Sequence, residues 1–477
     1  MSAPLWTLDA LKAATGGRLQ GQPSANISGV AIDSRTIGVG EAFFAIKGDR
    51  FDGHEFVADA LKRGAALAVV AAEKLSEMPE GASLLVVADP FEALRNLARA
   101  ARARSQAKIA AVTGSVGKTG AKEALRTALA REGEIHASPA SLNNHWGVPL
   151  SLARLPADAR FAVFEIGMNH AGEITPLVKL VRPHVALITS IEAVHLEYFR
   201  SVEEIADAKA EIFLGLEPGG AVVLPRDNPH YARLAAAAGK AGVERVIGFG
   251  AHEQAEARLL DAALKPNCST VRARILGDDI AYKIGSPGRH LVLNSLAVLA
   301  TAKLLGADLA LAALALATLQ PPAGRGRRIA LDLGQAETLL IDESYNANPA
   351  SMQAALEVLG TAPVGPRGRR IAVLGDMLEL GADATKLHRA LAKPIAAAHV
   401  DLVFCAGPLM QVLWKALPAA RRGGYADTAA ELEPKVAAAL RPGDAVMVKG
   451  SNGSRMGPLV KALSERFRAE QTAVAPA

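Results

Sequence analysis

The sequence predicts an α/β protein of three domains. Short apolar runs recur along the chain with helical stretches between them, which argues for mostly parallel sheets covered on both faces. A length of 477 residues fits roughly three domains, each long enough to bury its own core. Two shifts in composition mark seams, giving units of about 1–89, 90–322 and 323–477.

In chain order the strand-like runs are SLLVVAD (83–89), KIAAVT (108–113), FAVFEI (161–166), HVALITS (184–190), TLLID (338–342), RIAVLGD (370–376) and DAVMVKG (444–450). The first seam lies at Asp89-Pro90, ahead of a helix leading into KIAAVT. The second is LQPPAGRGRR (319–328), where Pro321 and Pro322 cannot continue a helix and the glycines permit a swivel. Residues 256–286 alternate irregularly and read as a β-rich insert in the central unit. LALAALALATL (309–319) reads as a buried helix, too short to span a bilayer, and no transmembrane segment is expected. The closing EQTAVAPA reads as a frayed tail.

Half of the residues are apolar and 21% are charged, a globular balance. The formal charge of +5 is spread out. Arg325-Gly326-Arg327-Arg328 and Arg367-Gly368-Arg369-Arg370 are short and lack interleaved aromatics, so no nucleic-acid partner is expected. A small anionic substrate suits the charge equally well. The two cysteines, Cys268 and Cys405, are far apart and suggest a reducing cytoplasm rather than a disulfide framework. The opening MSAPLWTLDALKAATGG lacks the pattern of a signal peptide. A monomer is the default expectation.

The stretch VTGSVGKTGAKE (112–123) carries the most chemistry. Gly117, Lys118 and Thr119 stand as in a phosphate-gripping loop, but Val112 takes the place of the usual first glycine and Gly114 comes too late for it. An apolar strand precedes the loop. A helical pattern follows, with Ala121, Leu125, Ala128 and Leu129 on one face. Such a turn aims the backbone N–H groups of Gly114, Ser115, Val116 and Gly117 outward, where they favour phosphate. Lys118 supplies a point charge for terminal phosphates and Thr119 a hydroxyl for magnesium. The bland alternative is a βα turn with an accidental Gly-Lys-Thr.

The shorter form, Thr-Gly-x-x-Gly-Lys-Thr, resembles the loop of the Mur ligases of cell-wall synthesis and of the related folylpolyglutamate synthases. These enzymes use ATP to join a carboxylate to an amine. DSRTIGVGEAFFAIKGDRFDGHEF (33–56) resembles the UDP-binding first domain of the Mur ligases and counts against the synthases, which lack one. SLNNHWGVPLSL (141–152), EIGMNHAGEI (165–174), DESYNANPASM (342–352) and LGDMLELG (374–381) resemble the branch that adds the terminal dipeptide. The branch that adds the third residue carries Asp-Asn-Pro-Arg. Here RDNPH (226–230) lies in the central unit and ends in His, so it is not that motif. The resemblance covers nearly the whole chain. It implies a central P-loop-type sheet, a C-terminal Rossmann-like domain and a smaller N-terminal α/β domain. It also implies ATP- and magnesium-dependent addition of D-alanyl-D-alanine to a UDP-N-acetylmuramoyl-tripeptide through an acyl phosphate, in the cytoplasm.

The resemblance assigns roles residue by residue. Ser34, Arg35, Asp52, Gly53 and His54 would hold the sugar nucleotide, and Asn143 and Asn144 a substrate. Glu165, at a strand end facing the ligand crevice, matches a magnesium ligand, and His195 the ligand of a second metal. Without the family, Glu165 could be a solvent-facing acid and His195 a structural histidine. Lys209 shares a helical face with Ile205 and Ile212, where burial would lower its pKa and supply neutral amine to carbon dioxide. The family uses a carbamylated lysine that matches Lys209. A snorkelling lysine with its head in water is the alternative. His290 and Asn294, one turn apart, would lie beside the nucleotide, Asn294 against adenine. Arg325, with Arg327 as a rival, would reach the terminal phosphate. Asp342 and Asn346 would face the nucleotide and reaction centre, and Lys449 an anionic substrate. An inert binding protein that keeps the loop is opposed by Lys118, Thr119, Glu165, His195, Lys209 and Arg325 occurring together.

Overall fold

The computed structural model describes residues 4–139, 141–334 and 336–468. The tail EQTAVAPA lies outside them. Three large sheets follow one another along the chain. The first has five strands in the spatial order Arg18–Gln20, Leu84–Val87, Leu67–Ala71, Glu41–Phe44, Gly29–Ala31; only its first pairing is antiparallel. The second has nine strands, with Lys108–Thr113 between Val185–Ile188 and Phe161–Glu165 and parallel to both. The third has six, parallel except for the pair Arg327–Asp332 and Glu337–Glu343.

The apolar runs form strands because both faces are covered. Ile109 and Ala111 enter one apolar cluster and Ala110 and Val112 the other. The period of two along a strand sends neighbours to opposite faces, so every position must be apolar. The third sheet is sandwiched in the same way, with Ala372 and Leu374 on one side and Ile371 and Val373 on the other.

The β-rich stretch lies in the central unit, as expected, and belongs to its sheet. Ala257–Lys265, Cys268–Ile275 and Asp278–Ile284 continue the central sheet as an antiparallel extension, joined where Ala257 and Arg258 pair with Phe249 and Gly250. The run at 309–319 is not wholly buried. Leu309–Ala315 is helical and buries Ala312, Ala313 and Ala315, but Leu311 and Leu314 face solvent. The glycine seam is not a free swivel either. Gly324 N–H donates to the Asp342 carboxylate at 2.7 Å, and Gly326 N–H to the Asp342 carbonyl at 2.8 Å. Gly324 and Gly326 have φ of 74° and 103°, which glycine alone adopts without strain.

At the other seam, Asp89 caps the helix Pro90–Arg104 by accepting from Phe91 and Glu92. That helix buries Leu94, Leu97 and Ala101 in a cluster shared by the first sheet (Phe44, Val69) and the central one (Ile109, Phe164). Trp6 indole N–H donates to the Ala153 carbonyl at 2.9 Å, and the Arg104 guanidinium stacks over the Trp6 ring. We propose three domains centred on the three sheets, with the first two sharing this core. Among the described residues no helix is long and apolar enough to cross a membrane.

Candidate active site

The loop joins Lys108–Thr113 to the helix Lys118–Leu129. Gly117 has φ of 89° and lies so close to Asn294 that a Cβ there would sit 2.7 Å from Asn294 Nδ2. Gly114, with φ of 145°, packs against Thr189 with no room for a side chain. The neighbouring segment braces the turn. Ser115 N–H donates to the Ser190 carbonyl at 2.9 Å and Val116 N–H to Ser190 Oγ at 3.1 Å. Those two donors are thus engaged, contrary to the outward aim expected of them. The first turn of Lys118–Leu129 has no side-chain cap, and N–H groups left so at a helix start favour an anion. Lys118 Nζ reaches back across the loop to the Gly114 carbonyl at 2.6 Å. Burial lowers its pKa, Glu165 opposes that shift and Arg325 adds to it.

Strand ends supply the next layer. Glu165 closes Phe161–Glu165 with no solvent exposure. One carboxylate oxygen accepts from Thr119 Oγ1 and the other from Asn143 Nδ2, each at 2.8 Å. The exposed-acid alternative for Glu165 therefore fails. The exposed Asn144 braces the start of the helix Gly147–Ala153, its Oδ1 accepting from Gly147 N–H at 2.8 Å. His195 sits in a left-handed backbone conformation, φ 55°, with Nδ1 2.6 Å from Glu379 Oε2.

Lys209 lies in Val202–Ala210 at 1% exposure, beside fully buried Ile205 and Ile212. Its head is not in water, so it does not snorkel. It has no hydrogen-bond or ion-pair partner among the described residues. Burial pushes the ammonium well below the usual lysine range, and the Lys118 charge pushes the same way.

A cavity of about 630 Å³ lies between the central and third sheets. Ser115, Val116, Gly117, Lys118, Thr119, Asn143, Glu165, His195, His290, Asn294, Arg325, Asn346 and Lys449 all line it. Arg325 stacks on the Tyr345 ring at 4.1 Å and donates to Ser141 Oγ at 3.3 Å. Its rival Arg327 is exposed and points elsewhere, on the strand Arg327–Asp332. Lys449 is buried and bonds both Glu343 Oε2 at 3.2 Å and the Asn346 carbonyl at 3.0 Å.

Asp342 needs correction. It is buried behind the wall, accepting from Gly324 N–H and from Ser344 N–H and Oγ–H. Its neighbour Glu343 is the acid that faces the cavity. Sequence reasoning also missed Tyr345 and the Asp227-Asn228 pair of RDNPH, which line the cavity just past the strand Ala221–Pro225. The strand-end rule applied to that strand would have found the pair.

The five residues of the first unit lie outside this cavity. Arg35 is exposed and its guanidinium makes two bonds to Asp33, at 2.9 and 2.7 Å, while Ser34 is buried. His54 Nδ1 bonds Asp52 Oδ1 at 2.6 Å while its Nε2 accepts Ala71 N–H at 3.0 Å. Gly53 packs against the Ile46 backbone with no room for a Cβ. The Asp52-Gly53-His54 turn is therefore built into the fold.

Comparison with known proteins places this geometry. Residues 26–102 match the Mur ligase family catalytic domain, 112–302 the Mur ligase middle domain, and 326–452 the Mur ligase glutamate ligase domain. A UDP-N-acetylmuramoyl-tripeptide–D-alanyl-D-alanine ligase of Escherichia coli is 35% identical, over 96% of this chain and 98% of its own. The chain belongs to the Mur ligase family. Another Mur ligase with the same name, from Rickettsia prowazekii, is 32% identical over 96% of this chain and 99% of its own. Among solved structures, MurF from Acinetobacter baumannii superposes with a TM-score of 0.82 at 32% identity, covering 97% of this chain and all of that one. MurF from Thermotoga maritima in complex with ADP superposes at 0.76 with 24% identity, over 92% and 97%, and supports the fold. The Mur ligase family is ATP-dependent and uses magnesium.

Proposed function

We propose that this Mur ligase joins D-alanyl-D-alanine to a UDP-N-acetylmuramoyl-tripeptide at the expense of ATP, giving the UDP-muramoyl-pentapeptide. The relatives named above, similar over nearly the whole chain, support that substrate pair. The observation that carries the reading is one cavity lined at once by the loop, the Glu165 carboxylate and the cations Arg325 and Lys449 of the third unit. Joining two anions at neutral pH requires their charge to be neutralised where they meet.

In this reading the first turn of Lys118–Leu129 and Lys118 hold the ATP phosphates, and Asn294 and His290 flank its base. Arg325 draws charge from the outer phosphoryl group as that group passes to the tripeptide carboxylate. The dipeptide amine then attacks the acyl phosphate and inorganic phosphate leaves. Lys449 steers an anionic substrate. Closure of the third unit over the cavity keeps water from the acyl phosphate. Ser34, Arg35 and the turn at His54 hold the uridine end, away from the chemistry.

The donor set suits magnesium. A buried carboxylate and a hydroxyl are hard oxygen ligands, and magnesium usually takes one or two carboxylates plus phosphate and water. Among the described residues no cluster of three or more acidic, His or Cys side chains could hold a metal alone. Thr119 and Glu165 would hold one ion and His195 another, supplying charge neutralisation. The unpartnered Lys209 amine is suited to add carbon dioxide, forming an N–C bond and losing a proton. The proposed nucleotide substrates suit a cytoplasmic reaction, and a cavity lined by residues of one chain suits a monomer.

The test is phosphate release with each substrate omitted in turn. Release that requires both the tripeptide and D-alanyl-D-alanine supports the reading; release with single amino acids alone, or none with any dipeptide, refutes it. Carbon-13 NMR in labelled bicarbonate tests the carbamate, whose signal must vanish in Lys209→Met.

A further inference from the structure

We propose that Glu379 is a positioning residue through which the third unit sets the orientation of His195. The inference rests on the reading of His195 as a metal ligand. Three observations carry it. Glu379 Oε2 lies 2.6 Å from His195 Nδ1, across the junction between the central and third sheets and 184 residues away in sequence. With Nδ1–H donating to the carboxylate, a neutral imidazole keeps its lone pair on Nε2, which has no other partner among the described residues. His195 lines the cavity and Glu379 does not, so the carboxylate acts from behind the ring.

The second observation is the backbone. His195 and Glu379 have φ of 55° and 61°, conformations that side-chain-bearing residues rarely adopt. A strained pair that meets across a junction is held there by its surroundings on both sides. On the central side, Tyr198 N–H donates to the His195 carbonyl at 2.9 Å. On the other side, Met377 N–H donates to the buried His388 ring at 3.0 Å and Leu378 N–H to Ser451 Oγ at 2.9 Å. The Glu379 loop is therefore bolted to the third sheet before it reaches His195.

The third observation is fit. A Cβ added at Gly381 would sit only 3.3 Å from the Leu196 carbonyl oxygen, so the two loops run close along their backbones as well as meeting through the Glu379–His195 hydrogen bond. Docking of the third unit and alignment of the imidazole are then one event. A metal ligand that is correctly aimed only in the docked arrangement ties metal affinity to closure.

The experiment measures manganese(II) binding by electron paramagnetic resonance in the presence of ADP, for the full chain and the variants Glu379→Ala, Glu379→Gln and His195→Ala. Glu379 is a half-exposed loop residue, so the variants should fold, and thermal melts check that they do. Removing such a partner typically weakens metal binding about 10–100-fold. The expected result is a loss of about tenfold or more in both Ala variants, with Glu379→Gln close to wild type because its amide oxygen still accepts the bond. Wild-type affinity in Glu379→Ala with a loss in His195→Ala overturns the role of Glu379 alone. Wild-type affinity in both overturns the assignment of His195 beneath it. A lower melting temperature in Glu379→Ala without weaker metal binding would mark a purely structural contact and also overturns the proposal.

Discussion

Lys209→Met should make the protein more stable and abolish its activity. The side chain is 1% exposed, lies beside Ile205 and Ile212, and carries an amine with no partner among the described residues. Folding must therefore strip that amine of water with no hydrogen bond in return. Methionine has nearly the same length, fills the same volume and leaves no polar atom to desolvate. Replacing a buried charged group by a well-packed apolar one stabilises by about 1–4 kcal/mol in comparable cases. At roughly 2–4 °C per kcal/mol for units of this size, the melting temperature should rise by a few degrees at least. The melts belong in buffer purged of carbon dioxide and magnesium, where nothing can pair with the amine. Ligation, followed by phosphate release, should fall by about 10²-fold or more, as for the loss of a group that organises developing charge. A variant that melts lower than wild type would refute the unpartnered amine. One that ligates at the wild-type rate would refute its role.

Other consequences can be checked on the same assays. Tyr345→Ala removes the ring under Arg325 and should lower kcat/KM by about 2–5-fold, the worth of 0.5–1 kcal/mol of cation–π contact, while Tyr345→Phe should behave as wild type. Gly117→Ala forces a side chain into a left-handed conformation, at about 1–2 kcal/mol, and against Asn294, so ATP binding should weaken about tenfold. Gly239→Ala, on the helix Tyr231–Lys240 with open space around it and away from the cavity, should leave binding unchanged in isothermal titration. His136, whose ring bonds the Ser151 carbonyl at 2.7 Å, has its pKa pushed down from 6.5 to about 4 by burial. The unfolded chain takes up that proton first as pH falls. Stability is therefore lost between pH 6.5 and 4, by about 2 kcal/mol at pH 5 and less to the extent that solvent reaches the ring. Thermal melts of wild type should fall further from pH 7 to 5 than those of His136→Gln.

The strands were legible because a strand covered on both faces leaves no position for a polar residue, and KIAAVT could be nothing else. Lys209 was legible for the converse reason, a cation at a spacing that demands burial. The helix at 309–319 misled because composition alone hides which leucines face water. Asp342 and Glu343 show a different limit. Adjacent residues of a strand point opposite ways, and only the partner strand decides which of two acids meets the cavity. Glu379 lies on a loop brought against His195 from 184 residues away, and Tyr345 lies past a strand end among the cavity walls, placements that no local pattern records. The engaged Ser115 and Val116 donors belong with them, since the segment that occupies them lies far along the chain.

The unbroken apolar cluster under the helix Pro90–Arg104 has a mechanical consequence. Two sheets fused through a common interior cannot rock against each other without opening that interior to water. Of the two junctions in the chain, then, the closure proposed above falls to the later one. The proposed sugar-nucleotide and ATP ends would stand as a fixed anvil, and a single probe distance from it to the third sheet would describe the stroke.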